Sequence, residues 1–372
     1  MSTSLARAET RARANPHACL ARYRPELQIT ARALAERHIW LAELSASFPA
    51  LFVALARPRA RFDPEPVIAN VIAGAPLAAL AEDARVPLWL RKMAPEMFSG
   101  PVPELPDSLY LRRRIANYLP VRARVARDWL DMVSEAARLA HDPFALWCAG
   151  LNEADRKTAR KHFKRLALWA WFSTEASARA HNFITRKWSL EMELKAALAA
   201  AVDWSATVGL YAWLGDQQID DVYLNPGNVK GFDFRPLRSA EAIVTEARVM
   251  KNCVRFYGED LARGHSRLWS VQRRGRHVAT LCIGWWRDNP LPMIREFKLP
   301  RNRKAPPELW LAAHKWLNGQ DLLHLSQWKK SWPDAQLDRA MWIELWKPYW
   351  LAKRRFPEWL PLCPSVDALE AI

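Results

Sequence analysis

Glycine is scarce in this chain, with 12 residues in 372. That leaves little room for Gly-rich phosphate loops, and neither a Walker A sequence nor a dinucleotide-type glycine motif occurs. Cysteine is scarce too. Cys19, Cys148, Cys253, Cys282 and Cys363 are odd in number and widely spaced, with no C-x-x-C pair, which argues against a disulfide framework or a cysteine zinc site. There is also no H-E-x-x-H and no paired Cys–His spacing, so no metal and no cofactor are expected. The N-terminus lacks an apolar run followed by a small-residue cleavage site, and a reducing, cytoplasmic location is the expectation. Arg7, Arg11, Arg13, Arg22 and Arg24, against Glu9 alone, suit either an organelle transit peptide or an exposed basic helix. Long uncharged apolar runs are missing. The nearest, 196–214, is rich in alanine and carries Asp203, which at a bilayer centre costs about 2.5–3.5 kcal/mol. It reads as a buried helix broken near Asp203-Trp204-Ser205, and no transmembrane segment is expected.

Acidic residues are the other deficit: 39 Asp and Glu against 55 Lys and Arg, a formal charge of +16. Such an excess favours polyanionic partners, either nucleic acid or an anionic membrane surface. What is abundant is apolar and aromatic. Half the residues are hydrophobic and 20 are tryptophan, enough to fold into two or three domains. The tryptophans suit core packing, with base stacking as the functional alternative.

Along the chain, residues 1–230 form a helical basic region, 231–320 a small α+β unit, and 321–372 a Trp-rich helical segment. In the first region Ile39, Leu41, Leu44 and Phe48 have helical spacing, a Pro-rich loop spans 95–106, and 109–137 is helical again. Asn152 is placed to cap a helix running to about Ala180. Asn225-Pro226-Gly227-Asn228 signals a turn and the boundary. Ser239 then caps a helix on which Ile243, Ala247, Met250, Val254, Tyr257 and Leu261 recur, ending at Gly264. Strand-like runs at 266–273, 277–286 and 293–299 form an antiparallel meander, and Pro306-Pro307 starts a further helix. Beyond Gly319, Pro333, Pro348 and Pro357 are expected to interrupt short helices bearing Trp328, Trp332, Trp342, Trp346, Trp350 and Trp359. The fold class is therefore mostly α with one helix–three-strand–helix unit.

Within that unit, Met250-Lys251-Asn252-Cys253-Val254 is followed by Tyr257, Gly264, a Ser-Arg-Leu-Trp-Ser strand, Thr280 and Glu296. Lys298-Leu299-Pro300-Arg301-Asn302-Arg303-Lys304-Ala305-Pro306-Pro307 completes the series. This order resembles the PcfJ-like family, named after a protein encoded on a conjugative plasmid, over roughly residues 238–318. Family members commonly carry Gln near the position of Lys298. The resemblance implies a plasmid or phage-like context and specifies no reaction.

Four constellations could carry chemistry. Cys253 and Tyr257 stand four apart, which on one helix places them on a shared face with Met250. Cys253 is either a nucleophile, needing a base such as His265 or His277, or a buried structural cysteine. Thr280 and Glu296 on neighbouring strands form either a polar site or an exposed cross-strand pair. Arg301-Asn302-Arg303-Lys304, between strand and helix, is a candidate phosphate site. Arg156, Lys157, Arg160, Lys161, Lys164 and Arg165 repeat every four residues as a positive stripe with Trp169 and Trp171 beyond. That stripe either tracks a phosphate backbone or is a solvated face. The expected function is binding of nucleic acid, DNA or RNA, in a mobile element, with that element's proteins as further partners. The alternatives are an enzyme using Cys253, Tyr257, Thr280 and Glu296, or a scaffold of a conjugation apparatus.

Overall fold

A computed structural model describes residues 16–60, 62–284, 291–321 and 337–354. The chain forms two compact units, one of residues 1–171 and 188–198, the other of 172–187 and 199–372. Among its described residues the first unit has helices and 3-10 turns joined by loops, and no strand. Its longest helix, Ala123–Leu139, buries Ala126, Trp129, Leu130, Met132, Val133 and Ala136, a three-and-four spacing that puts one stripe into the core. The wholly buried Trp129 keeps its indole N–H satisfied by donating to the Ala149 carbonyl at 3.0 Å. The helical run expected over 109–137 is divided. It consists of Leu109–Arg114, a 3-10 turn Ile115–Tyr118, and the long helix after Pro120, whose ring cannot continue the ladder. Asn152 does cap its helix, accepting from Asp155 N at 2.9 Å. That helix stops at Lys161, because His162 leaves helical geometry with φ −123°, and a second one runs Phe163–Thr174.

The second unit is organised by a six-stranded antiparallel sheet in sequence order. Its strands are β1 Gly227–Val229, β2 Phe232–Pro236, β3 Ser266–Arg273, β4 Arg276–Gly284, β5 Met293–Leu299 and β6 Arg303–Lys304. The three expected strands are the centre of this larger meander. The Asn225–Gly231 segment, expected as a domain boundary, lies inside the unit and supplies its first strand. Two hairpins use two-residue turns with both φ positive, Lys230-Gly231 (53° and 76°) and Arg274-Gly275 (52° and 75°). That handedness matches the twist of the flanking strands.

Both sheet faces are covered. On one, Phe234, Trp269, Val271, Leu281 and Phe297 pack against Leu309, Ala312, Ala313 and Trp316 of helix Pro307–Asn318. Phe234 and Trp316 stack with centroids 4.6 Å apart, and burying each such side chain contributes about 1.5–3 kcal/mol. On the other face, Leu268 and Cys282 meet Ile243, Val244 and Ala247 of helix Ala240–Met250, together with Leu210 and Leu261. Ser239 caps that helix by accepting from Ala242 N at 3.1 Å.

Two expectations about helices are corrected. Leu194–Leu214 runs through Asp203 without a break. It is long and apolar enough to cross a membrane by length and composition, yet 56% of its most apolar window is buried. Asp203 is neutralised by Arg255 at 2.6 Å, which removes the reason for a break. Pro348 likewise lies within helix Arg339–Lys353. An interior proline costs about 3 kcal/mol, and burial of Trp342, Leu345, Trp346, Tyr349 and Trp350 offsets it. The expected roles of Trp328, Trp332, Trp359, Pro333 and Pro357 lie outside the described residues.

Candidate functional site

The site begins where a helix stops. Lys251 adopts left-handed φ 50°, ψ 47°, ending helix Ala240–Met250, and the chain resumes as a 3-10 turn, Val254–Tyr257, after Cys253. Cys253 therefore does not share a helix face with Met250 and Tyr257, as the spacing predicts. It is exposed rather than buried. The break nevertheless carries Cys253 and Tyr257 to the sheet, where they line one cleft with Asn252, Thr280, Cys282, Glu296, Lys298 and Asn302. All four catalytic candidates meet there, around about 10 Å³ of space, room for roughly one water.

Sheet register explains the convergence. Ser270, Thr280, Lys298 and Lys304 are successive cross-strand partners, and so are Leu268, Cys282 and Glu296. Both rows face helix Ala240–Met250. Thr280 stands opposite Lys298 rather than Glu296, which corrects the expected Thr280–Glu296 pair. Its carboxylate partner is Glu246, which sequence reasoning passed over. Thr280 Oγ1 donates to Glu246 Oε1 at 2.7 Å and accepts from Asn252 Nδ2 at 2.9 Å. The other oxygen of Glu246 meets His277 Nδ1 at 2.5 Å, and Ser270 Oγ lies 3.0 Å from that same nitrogen.

Glu246 is 0% exposed, so this network is what makes its burial tolerable. A signal was available, because Glu246 stands three residues after Ile243 and four before Met250, on the apolar stripe. Ser270, His277 and Glu246 do not form a nucleophilic triad. Both oxygens approach one ring nitrogen, whereas a relay needs the carboxylate and the nucleophile on opposite nitrogens. His265 is engaged near Asp260, at 3.9 Å. Neither histidine lines the cleft as a base for Cys253.

The titratable groups of the cleft differ by burial. Burial pushes the Cys282 thiol up to about 12, making it an unreactive thiol. Tyr257 is raised by burial first, then by the neighbouring Cys282 and by the nearby Glu296.

Beside the cleft lies the second candidate cluster. Arg301 and Asn302 both have positive φ, 60° and 57°, and turn β5 into β6. The basic run does not sit at a helix N-terminus as expected, since Arg303–Lys304 pairs as a strand and the helix begins at Pro307. Arg301, Asn302, Arg303 and Lys304 are all exposed. Lys298 and Lys304 are direct cross-strand partners, an arrangement in which like charges repel. With Arg301 and Arg303 nearby in sequence or register, neither lysine makes an ion pair among the described residues.

The 156–165 stripe is weaker than its spacing implies. The break at His162 divides it, Lys157 pairs with Glu153 at 3.1 Å, and Arg160 lies 3.7 Å from Asp128. Arg156 is half-buried and donates to the Leu151 carbonyl. Lys161 remains exposed, while Lys164 and Arg165 are half-buried. Trp169 and Trp171 are buried, so they cannot stack bases. The larger concavities of the first unit, about 800 and 540 Å³, contain none of these candidates. Their charged groups pair with each other, as in Arg112–Asp107 at 2.6 Å. Among the described residues no cluster of three or more His, Cys, Asp or Glu side chains could hold a metal ion.

No protein-family model matches this chain, and no curated protein and no solved structure is similar to it.

Proposed function

We propose that this chain binds nucleic acid, with the β5–β6 edge of its second unit as the principal phosphate contact. The observation that carries this reading is the placement of Lys298 opposite Lys304 in a turn that also exposes Arg301 and Arg303. Like charges held in register cost stability in the free protein, and a bound phosphate relieves that cost. The overall charge of +16 draws a polyanion toward any such patch. The Arg156–Arg165 stripe is a subsidiary contact, reduced by its internal pairing. The resemblance of residues 238–318 to the PcfJ-like family supports placing this activity in a plasmid or phage-like element.

Fluorescence anisotropy with labelled single-stranded RNA, single-stranded DNA and duplex DNA across a salt series tests the reading. The logarithm of the binding constant is expected to fall linearly with log salt. Lys298→Gln with Lys304→Gln is expected to reduce the slope by about 0.7–0.9 for each phosphate no longer neutralised. Neutralising Lys157 and Arg160 is expected to change it less. Absence of binding at low salt, or a slope unaltered in the double variant, overturns the reading.

A further inference from the structure

We propose that the first unit binds the surface of an anionic lipid membrane through the segment 109–124, with Leu109 and Val121 entering the apolar boundary and the neighbouring arginines meeting lipid phosphate. The segment contains none of the residues assigned above to nucleic acid, so the two readings stand or fall separately.

The shape of the segment follows from two buried residues. Leu111 and Ile115, one turn apart, are wholly buried and fix the inner side of helix Leu109–Arg114 and of the 3-10 turn after it. Leu109, Arg113 and Asn117, at four-residue intervals, are therefore on the outer side, and all three are exposed. The Arg114 guanidinium lies over the ring of the exposed Tyr110 at 5.9 Å. Beyond Pro120, Val121 projects with 94% of its surface in solvent, beside the exposed Arg122 and Arg124. Leu109 is 67% exposed, and Tyr118 is exposed as well. One exposed apolar side chain is ordinary on a protein surface, but a group of them in one short segment marks an interaction site.

The charge of the segment has one sign. It contains Arg112, Arg113, Arg114, Arg122 and Arg124 and no acidic residue. Asp107 takes Arg112 at 2.6 Å, whereas Arg113, Arg114 and Arg124 make no ion pair among the described residues. Charge alone suits a nucleic acid equally, and the aliphatic groups decide between them. A phosphate backbone offers nothing to Leu109 or Val121, and stacking on bases needs flat rings. Entry into the acyl boundary is favourable in proportion to the apolar area buried. Tyrosine sits at headgroup level, ring inward and hydroxyl in water, and arginine stems lie along such a boundary while their guanidinium groups reach phosphate.

The test is co-sedimentation of the full chain with phosphatidylcholine vesicles and with vesicles that also contain phosphatidylserine, across a salt series. Wild type is expected to sediment with the anionic vesicles, to spare the neutral ones, and to be released as salt rises. Arg113→Gln, Arg114→Gln and Arg124→Gln together are expected to weaken binding about fivefold for each arginine. The overall charge of +16 also draws the chain to any anionic surface, so the uncharged side chains give the sharper readout. Leu109→Ser with Val121→Ser keeps the charge and is expected to weaken vesicle binding about tenfold or more, with melting temperature and RNA binding unchanged. Lys298→Gln with Lys304→Gln is expected to leave vesicle binding near wild type. Undiminished vesicle binding by the serine variant shows attraction by bulk charge and overturns the proposal, as does failure of wild type to sediment with anionic vesicles at low salt. Loss of RNA binding in the arginine variant, with no vesicle binding by wild type, assigns the segment to nucleic acid instead.

Discussion

Glu246 has no solvent exposure, and the groups that satisfy it, His277 and Thr280, both come from β4, with Ser270 of β3 and Asn252 bonded to them in turn. Removing one hydroxyl from that network is therefore felt at several atoms. Thr280→Val keeps the shape of the side chain but takes a donor from the carboxylate and an acceptor from Asn252. A buried polar group left without its partner costs about 1–3 kcal/mol. The denaturation midpoint of Thr280→Val is expected to fall by a corresponding amount, while Thr280→Ser stays near wild type. Equal loss in both variants would mean that the methyl group, not the hydroxyl, carries the effect. Little of this network is legible in the sequence. Cys253, Tyr257, Thr280 and Glu296 are recognisable as polar residues near one another in the unit, but Thr280 finds Glu246 only because sheet register turns it toward the helix. A glutamate on an apolar stripe is the single local clue, and charge alone makes it read as solvent-facing.

The helix that ends at Met250 shows how an element boundary escapes periodicity. Ile243, Ala247, Met250, Val254, Tyr257 and Leu261 keep three-and-four spacing across the break, because the 3-10 turn that follows makes nearly the same demands on sequence. The stop comes from one left-handed residue, Lys251. A side chain in that conformation costs about 1–2 kcal/mol, and glycine removes the cost while adding chain entropy to the unfolded state. Lys251→Gly is expected to raise stability by roughly 0.5–1 kcal/mol, seen as a higher melting temperature. A lower one would show that the lysine charge at the helix C-terminus matters more. β3, β4 and β5 are legible because they are long and rich in β-branched and aromatic residues. β1 and β2 are hidden by Pro226, Gly227, Gly231 and Pro236, which punctuate the same segment that contributes Phe232 and Phe234 to the core. β6 has two residues and exists through pairing with β5.

At the scale of the whole molecule, alkaline pH probes the buried acids. Burial raises Cys282 from 9.0 to about 12, and burial, opposed by nearby Arg267, raises Tyr223 from 10.0 to about 12. Both are neutral acids that the folded chain keeps protonated longer than the unfolded chain does. Below pH 9 they contribute no pH dependence. Between about 9 and 12 the unfolded state has released protons that the native state still holds, so stability falls as pH rises, by about 1.4 kcal/mol per pH unit for each group. Denaturant titrations across that range are expected to show the decline, and Cys282→Ala is expected to make it shallower, most clearly between pH 9 and 10. A slope unchanged by that substitution would assign the decline to the other buried acids, the Cys148 thiol, which burial also raises, and the tyrosines.

The sheet also ends abruptly on both sides, with three residues in β1 and two in β6. An open sheet edge is a template on which another chain can lay down a strand, and long apolar edges drive fibril growth. Here one edge is exposed arginine and lysine, and at the other the Asn225 N–H and carbonyl beside β1 are already taken by Gln320 and Trp316. Among the described residues both sheet edges are thus short and flanked by charge or by side-chain bonds, features that disfavour growth of the sheet from one copy to the next.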